Sequence, residues 1–247
     1  WMTSPVESLS DEWTGLVIHA MKESERLGLE FAMHNCPGWS SSGGPWITPD
    51  KAMQQLTWSE TELKGGQAVS LQLPVPKHQL NHYLDTYCLA IPAGLDVIPQ
   101  SSVLDLTGQL DKNGVLTWNV PPGEWVVLRF GQTARKQNNR SAPAKSTGLE
   151  CDKFNTAALD YHLDCMFKRI MPSMEKMAKR SKVGLLIDSY EMGSQDWTYD
   201  MPAYFQKKRG YALVTFLPAL AHRVIESTER TDRFLFDFKR TQADMFA

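Results

Sequence analysis

Apolar positions recur at helical spacing near the start of the chain. Trp13, Leu16, Val17, Ala20, Met21 and Leu27 form one stripe through DEWTGLVIHAMKESERLG. Ser10 stands where an N-cap is needed, Asp11 and Glu12 suit the positive end of the helix dipole, and Gly28 ends the pattern. LEFAMHN, residues 29–35, then reads as a short strand, so helix, glycine and strand make half of an α/β unit. A loop of Gly, Pro, Ser and Trp follows, CPGWSSSGGPWITPD. Pro49 at an N1 position predicts a helix over residues 50–62. From Gly65 the texture changes. AVSLQLPVP, TYCLAIPA, VLDLTG, GVLTWNV and EWVVLRFGQT are short apolar runs parted by Pro, Gly and Asn. Runs of that length with recurring turn signals predict an antiparallel β-sandwich.

After residue 133 the helical period returns. TARKQNNRSAPAKSTG reads as a linker or a long loop, and its Arg135, Asn138, Asn139 and Arg140 offer donors to a ligand or simply to water. GLECDKFN leads into a helix that Asn155 can cap, with Ala158, Leu159, His162, Leu163, Met166, Phe167 and Ile170 along one stripe. VGLLID is the next strand. Helices are expected near 200–208 and 216–226, and DRFLFDFKRTQADMF forms a last one. The chain is thus expected to be α/β, with a β module inserted between two α/β stretches.

The charge sharpens what this chain can bind. A net charge of −2 over 247 residues offers no basic footprint for nucleic acid. No segment reaches the roughly 20 apolar residues of a membrane helix, and none reads as a signal peptide. The four cysteines, at 36, 88, 151 and 165, have neither CxxC nor zinc spacing. The chain opens on WMTSPVESLSDEW and closes on DMFA inside a helical pattern, which suggests a piece of a longer protein. No GxGxxG, GxxxxGK[ST] or GxSxG occurs, so neither a nucleotide enzyme nor a nucleophile elbow has support.

Three constellations could carry chemistry. Asp188 and Glu191 follow the apolar run 183–187, at the C-terminal end of a strand, where βα loops gather functional groups. Tyr190, Met192 and Trp197 would give Glu191 an apolar setting that favours a protonated carboxyl. A helix cap and a solvated acid explain the same pair equally well. Glu150 and Asp152 in GLECDKF could offer oxygens to a metal or to sugar hydroxyls, or could sit at a helix N-terminus where the dipole favours acids. His34 and Asn35 end the first strand beside Trp39 and Trp46, an arrangement suited to binding, whereas His162 lies on an apolar stripe and reads as structural.

NCPGWSSSGGPWITPDKAMQQL, PPGEWVVLRFGQT, GLECDKF, LLIDSYEMGSQDWT, FQKKRGYALVTFLPAL and DRFLFDFKRT occur in that order along nearly the whole chain. Together they resemble glycoside hydrolase family 106, the α-L-rhamnosidases. The resemblance implies part of a (β/α)8 TIM-type barrel interrupted by a small antiparallel β-sandwich. Residues 1–66 and 134–247 would belong to the barrel and 67–133 to the insertion. It implies inverting hydrolysis of terminal rhamnose in an oligosaccharide or polysaccharide, a calcium ion at the sugar, and a periplasmic or extracellular bacterial location. Glu191 in DSYE would be the general acid, with Glu150 a fallback for the second carboxylate. His34, Asn35, Trp39, Trp46, Asp188 and Trp197 would line the sugar site. Glu150, Asp152 and Asp188 are chemical guesses for the calcium. Exposed strand edges of an incomplete barrel would invite a second copy of the chain. A barrel glycosidase of the β-galactosidase type and a non-catalytic carbohydrate-binding fragment are the rival expectations.

Overall fold

The computed structural model describes residues 5–187 and 193–247. Two units divide the chain, one of residues 1–53 and 135–195, the other of 54–134 and 196–247.

In the first unit, helix α1 (Asp11–Leu27) starts where Ser10 Oγ accepts the Trp13 N–H and stops where Gly28 turns left-handed at φ 72°. Strand β1 (Phe31–His34) follows. It pairs in parallel with the later strand β8 (Val183–Leu186), in the register Phe31 to Val183 and His34 to Leu186. Helix α2 (Thr156–Phe167) is capped by the Asn155 side chain, as expected, and α3 (Met171–Ala178) follows it. Met21, Met166, Phe167, Ile170 and Met177 are buried together, with Trp13, Phe31, Met33 and Val183 packed against them. The apolar stripes of the three helices thus close over the parallel strand pair.

The second unit is built around antiparallel sheets. Strands β2 (Gln54–Lys64), β3 (Gln67–Gln72), β4 (Tyr83–Pro92), β5 (Leu104–Asp105), β6 (Val115–Val120) and β7 (Glu124–Ala134) form it. The larger sheet runs β2-β7-β4-β5, and β3 pairs with β6. Cys88, Ala90, Leu106, Leu116 and Val127 make the core between them, with Trp118 and Trp125 at its side. The expectation of a helix over 50–62 was wrong. Pro49–Lys51 is a single 3-10 turn, and Gln54–Lys64 is a full-length partner of β7. Trp58, Thr57 and Thr61 favour a pleated surface, and eleven cross-strand pairs outweigh the start signal of Pro49. The same unit holds α4 (Met201–Arg209) and α5 (Thr228–Phe246), the latter capped by Ser227. Between them Val214–Ala221 winds as a 3-10 run rather than the expected α-helix. Pro218 has no N–H to give an α-type ladder there.

An ion pair between the buried Arg129 and the partly exposed Asp85 ties this unit together. Arg129 Nε and Nη2 donate to the two oxygens of Asp85 at 2.7 and 2.9 Å, and Nη1 donates to the Leu73 carbonyl at 2.8 Å. The Tyr83 hydroxyl donates to the same carboxylate at 2.7 Å. Gly131 lets the Tyr83 ring lie against β7, where a Cβ would collide with it. No helix among the described residues is long and apolar enough to cross a membrane.

Candidate active site

The polar end of β1 opens into two loops of the first unit that are laced together through the backbone. Residues 148–152, GLECD, run extended between 44–53 on one side and 137–139 on the other. Gly44 N–H donates to Leu149 O at 3.1 Å, Met53 N–H to Glu150 O at 3.0 Å, Glu150 N–H to Gln137 O at 2.8 Å and Asp152 N–H to Lys51 O at 2.8 Å. Glycines make the crossing feasible. A Cβ on Gly148 would strike the Gly44 carbonyl. Asn139, 2% exposed, clamps the turn, since its Oδ1 accepts the Gly148 N–H at 2.8 Å and its Nδ2 donates to Ser146 O.

Extended backbone turns alternate side chains to one face, and Glu150 and Asp152 share theirs. Both are buried. Glu150 Oε2 accepts from Lys153 Nζ at 2.5 Å and from Ser42 Oγ at 2.9 Å. Asp152 Oδ1 accepts the Phe154 N–H at 3.0 Å and an N–H of the Gln195 amide. Neither acid sits in the first turn of α2, which starts four residues beyond Asp152. The dipole explanation for this pair therefore fails.

His34 and Asn35 stand at the same strand end. The His34 ring meets Trp39 edge-on at 5.4 Å between centroids, and Trp39 is 55% exposed. Asn35 is buried and its Nδ2 donates to Ser41 O at 2.6 Å. Trp46 is half-buried and its Nε1–H donates to His162 Nδ1 at 3.1 Å. His162 Nε2 contacts Asn35 O at 2.9 Å, so this buried histidine joins the loop to the strand end, the structural role expected of it. Burial holds its pKa below the ordinary histidine value.

Several buried polar atoms of this cluster carry no hydrogen bond: His34 Nδ1, Asn35 Oδ1, Ser41 Oγ and Glu150 Oε1. Buried polar groups are almost always paired in folded proteins, so this cluster holds hydrogen-bonding capacity that its own fold leaves unused. The two thiols of this cluster, Cys36 and Cys151, are buried. Burial pushes the Cys151 thiol up to about 12 and raises that of Cys36 as well.

The sequence-expected residues are thus only partly brought together. His34, Asn35, Trp39, Trp46, Glu150 and Asp152 all belong to the first unit. Trp197 belongs to the second and is 1% exposed, its ring 6.3 Å from Phe238. It packs in the core of that unit, apart from the other expected residues in the division of the chain. Asp188 and Glu191 lie outside the described residues. Ser42, Lys153 and Gln195, which hold the acid pair, were not expected as site residues. The Ser40–Ser41–Ser42 run and the Lys that follows the acids were the signals for two of them.

Of the three residues expected to hold calcium, Glu150 and Asp152 are described and both are already engaged. No three carboxylate, His or Cys side chains converge among the described residues. Glu150 is already matched by an ammonium group and Asp152 by N–H donors, whereas a hard cation needs six to eight free oxygens.

A mixed α/β chain with carboxylates and aromatics gathered at a strand end is a frame suited to glycan chemistry. A family model described as alpha-L-rhamnosidase, glycoside hydrolase family 106, matches residues 3–89 and 78–247. The chain belongs to that family. It is 40% identical over 274 aligned positions to a Formosa agariphila protein named "Putative beta-glucuronidase", covering 98% of this chain and 24% of that protein. Its fold is similar to that of a solved rhamnosidase from Novosphingobium sp. PP1Y, with a TM-score of 0.80 and 22% identity, over 99% of this chain and 39% of that one. The chain therefore spans about a quarter of the curated relative and two-fifths of the solved one.

Proposed function

We propose that this chain is part of the catalytic region of an α-L-rhamnosidase that removes terminal rhamnose from a plant or microbial glycan with inversion. The observation that carries this reading is the row of unpaired buried polar atoms at the end of β1, beside an exposed tryptophan. Sugars present hydroxyls to polar groups and C–H faces to aromatic rings. Family membership adds the glycosidase chemistry. Glu191, in DSYE, is the general acid that protonates the leaving oxygen as an oxocarbenium-like transition state develops. The base activates a water about 6.5–9.5 Å away on the opposite face of the ring. Glu150 is the weaker choice for that role, because Oε2 already holds two donors. We assign it instead to accepting a sugar hydroxyl through Oε1. Asn35 Oδ1 accepts another, and Trp39 with His34 supports the ring.

The frame of this site is a (β/α)8 barrel. Leu185, Leu186 and Ile187 are 45–64% exposed at successive positions of β8 and just beyond. Strands of parallel sheets are buried on both faces and read as continuous apolar runs, so a strand of this kind supports further strands and helices around it. A second copy of the chain is the other occupant such an edge would accept. The family's location outside the cytoplasm, and a calcium ligand at Asp188, stay with this proposal.

The decisive experiment uses the full-length protein. Glu191→Gln should lower kcat on rhamnosides with poor leaving groups by at least about 10²-fold while an activated aryl rhamnoside loses less. Equal losses on both, or none, would remove Glu191 as the acid. The name carried by the 40%-identical relative favours a second reading, a glucuronide-cleaving enzyme. An aryl-glycoside panel separates the two, and NMR of the first-formed anomer tests inversion.

A further inference from the structure

The second unit carries a pocket that the proposed chemistry does not use. Arg209, Tyr211, Phe216, Arg230, Arg233 and Asp237 line a cavity of about 300 Å³. Three guanidinium groups and one carboxylate line it, and with Arg209 paired to Asp244 the remaining two guanidinium groups exceed Asp237 by one positive charge.

The partners of these groups show which of them are free. Arg209 donates to Asp244 and to Thr241 Oγ1 at 3.0 Å, so it is held by α5 and its charge is answered. Asp237 accepts the Tyr211 hydroxyl at 3.0 Å. Among the described residues, Arg230 and Arg233 make no ion pair. Arg230 lies only at the outer reach of a cation–π contact, 6.0 Å from the Phe216 centroid. The two arginines stand three residues apart, on one face of α5, and like charges at that spacing oppose the helix. Arg230 also lines a neighbouring open groove of about 810 Å³ with Gln100, Ser101, Val103, Thr215 and Glu226. In that groove Gln100 Nε2 donates to Thr215 Oγ1 at 2.9 Å, and Gln100 N–H to Glu226 Oε2 at 2.9 Å.

We propose that the Arg230–Arg233 pocket binds an anionic substituent of a glycan, a uronate carboxylate or a sulfate ester, with the adjoining groove accepting neutral neighbouring sugars. Guanidinium groups match planar carboxylates and sulfate oxygens through paired N–H donors. Tyr211 and Phe216 supply an aromatic wall, and the Asp237-bound Tyr211 hydroxyl is positioned to orient the ligand. The inference rests on the family's glycan chemistry only for the ligand being a saccharide. The pocket would be a recognition site separate from the residues assigned to bond cleavage.

Titration calorimetry on the full-length protein tests it, with D-glucuronate, a monosaccharide sulfate ester, methyl glucuronate ester and rhamnose as separate probes. The expected result is binding of at least one anionic probe, with neither neutral probe detected at this pocket. R230Q/R233Q, at exposed helix positions, should weaken that binding at least tenfold and leave hydrolysis of a neutral aryl glycoside unchanged. The stronger of the two anionic probes identifies the substituent. Binding of neither anion, or equal binding by the double variant, would overturn the site. Loss of neutral-substrate hydrolysis with intact anion binding would instead strike the catalytic reading alone.

Discussion

Arg129–Asp85 in the β unit and Lys153–Glu150 in the α/β unit are each built on a buried cation, and the two pairs end differently. In the β unit, Arg129 and Asp85 close on each other through two parallel N–H···O bonds, and Leu73 O and Tyr83 take up what remains. In the α/β unit, Lys153 and Ser42 both bind Oε2 of Glu150, and Oε1 is left over. Arginine's planar fork suits a closed structural bridge, whereas lysine is a point charge that can hold one oxygen and leave the other. The first pair satisfies its own fold. The second holds a carboxylate in place while reserving half of it for something else.

The largest test of this contrast breaks the closed pair. Asp85→Ala should destabilise the protein by about 3 kcal/mol, the low end for a broken buried pair because the Asp85 side chain is 34% exposed. Denaturant unfolding measures it, and a change under about 1 kcal/mol would show that water replaces the carboxylate. Asp85→Leu with Arg129→Met should recover most of that loss, since an apolar pair of similar volume removes the unpaired charge. Catalysis by the folded protein should not change in either variant.

The open pair should answer differently. Glu150→Gln keeps the volume and an acceptor for Ser42, but leaves a neutral group where a substrate hydroxyl would meet a carboxylate. A hydrogen bond to a charged group contributes roughly 1.5–3 kcal/mol, so kcat/KM in the full-length protein should fall about tenfold to hundredfold. Adding Lys153→Met to that variant should recover stability and not activity. Recovery of both, as expected for the Arg129–Asp85 pair, would make Glu150 a structural residue and remove the distinction between the units.

Local signals made much of this architecture readable. Ser10, Gly28, Asn155 and Ser227 mark helix ends through contacts within a few residues, and three of them were legible as caps or stops from the chain alone. Strand β2 was not, because Pro49 gives a genuine turn and the pairing that decides Gln54–Lys64 comes from β7, some 70 residues later. Trp197 looked like a loop aromatic, and only packing against Phe238 on the last helix reveals it as core. At the site, GLECD announced two acids. Its extended path between two distant loops, and the donors that Ser42 and Gln195 bring, depend on long-range backbone pairing that no window of sequence contains.

The smallest expected effect separates the two units by pH, through His162 in one and Asp85 in the other. His162 sits between the site loops, accepting from Trp46 Nε1–H at Nδ1, so its proton is on Nε2, toward Asn35 O. Burial is the main reason its pKa lies below the ordinary value; the Asn35 carbonyl and Glu150 push it up, and Lys153 pushes it down. The unfolded chain takes up a proton near pH 6.5 that the folded chain refuses. Stability from this group is therefore fully present above about pH 6.5 and lost as pH falls through the lower folded value. Asp85 acts in a more acidic window. Burial raises its pKa, but Arg129 and Tyr83 outweigh that and hold it below 3.8, so its contribution disappears only as pH falls beneath that value. Unfolding measured at pH 7.5 and 5.5 should show a modest loss in the wild-type protein and a smaller one in His162→Gln, which cannot titrate. Asp85→Asn should retain the wild-type difference over the same interval. If His162→Gln loses as much stability between pH 7.5 and 5.5 as the wild type, the imidazole is not kept neutral by the fold, and the Trp46 bond does not depend on its charge.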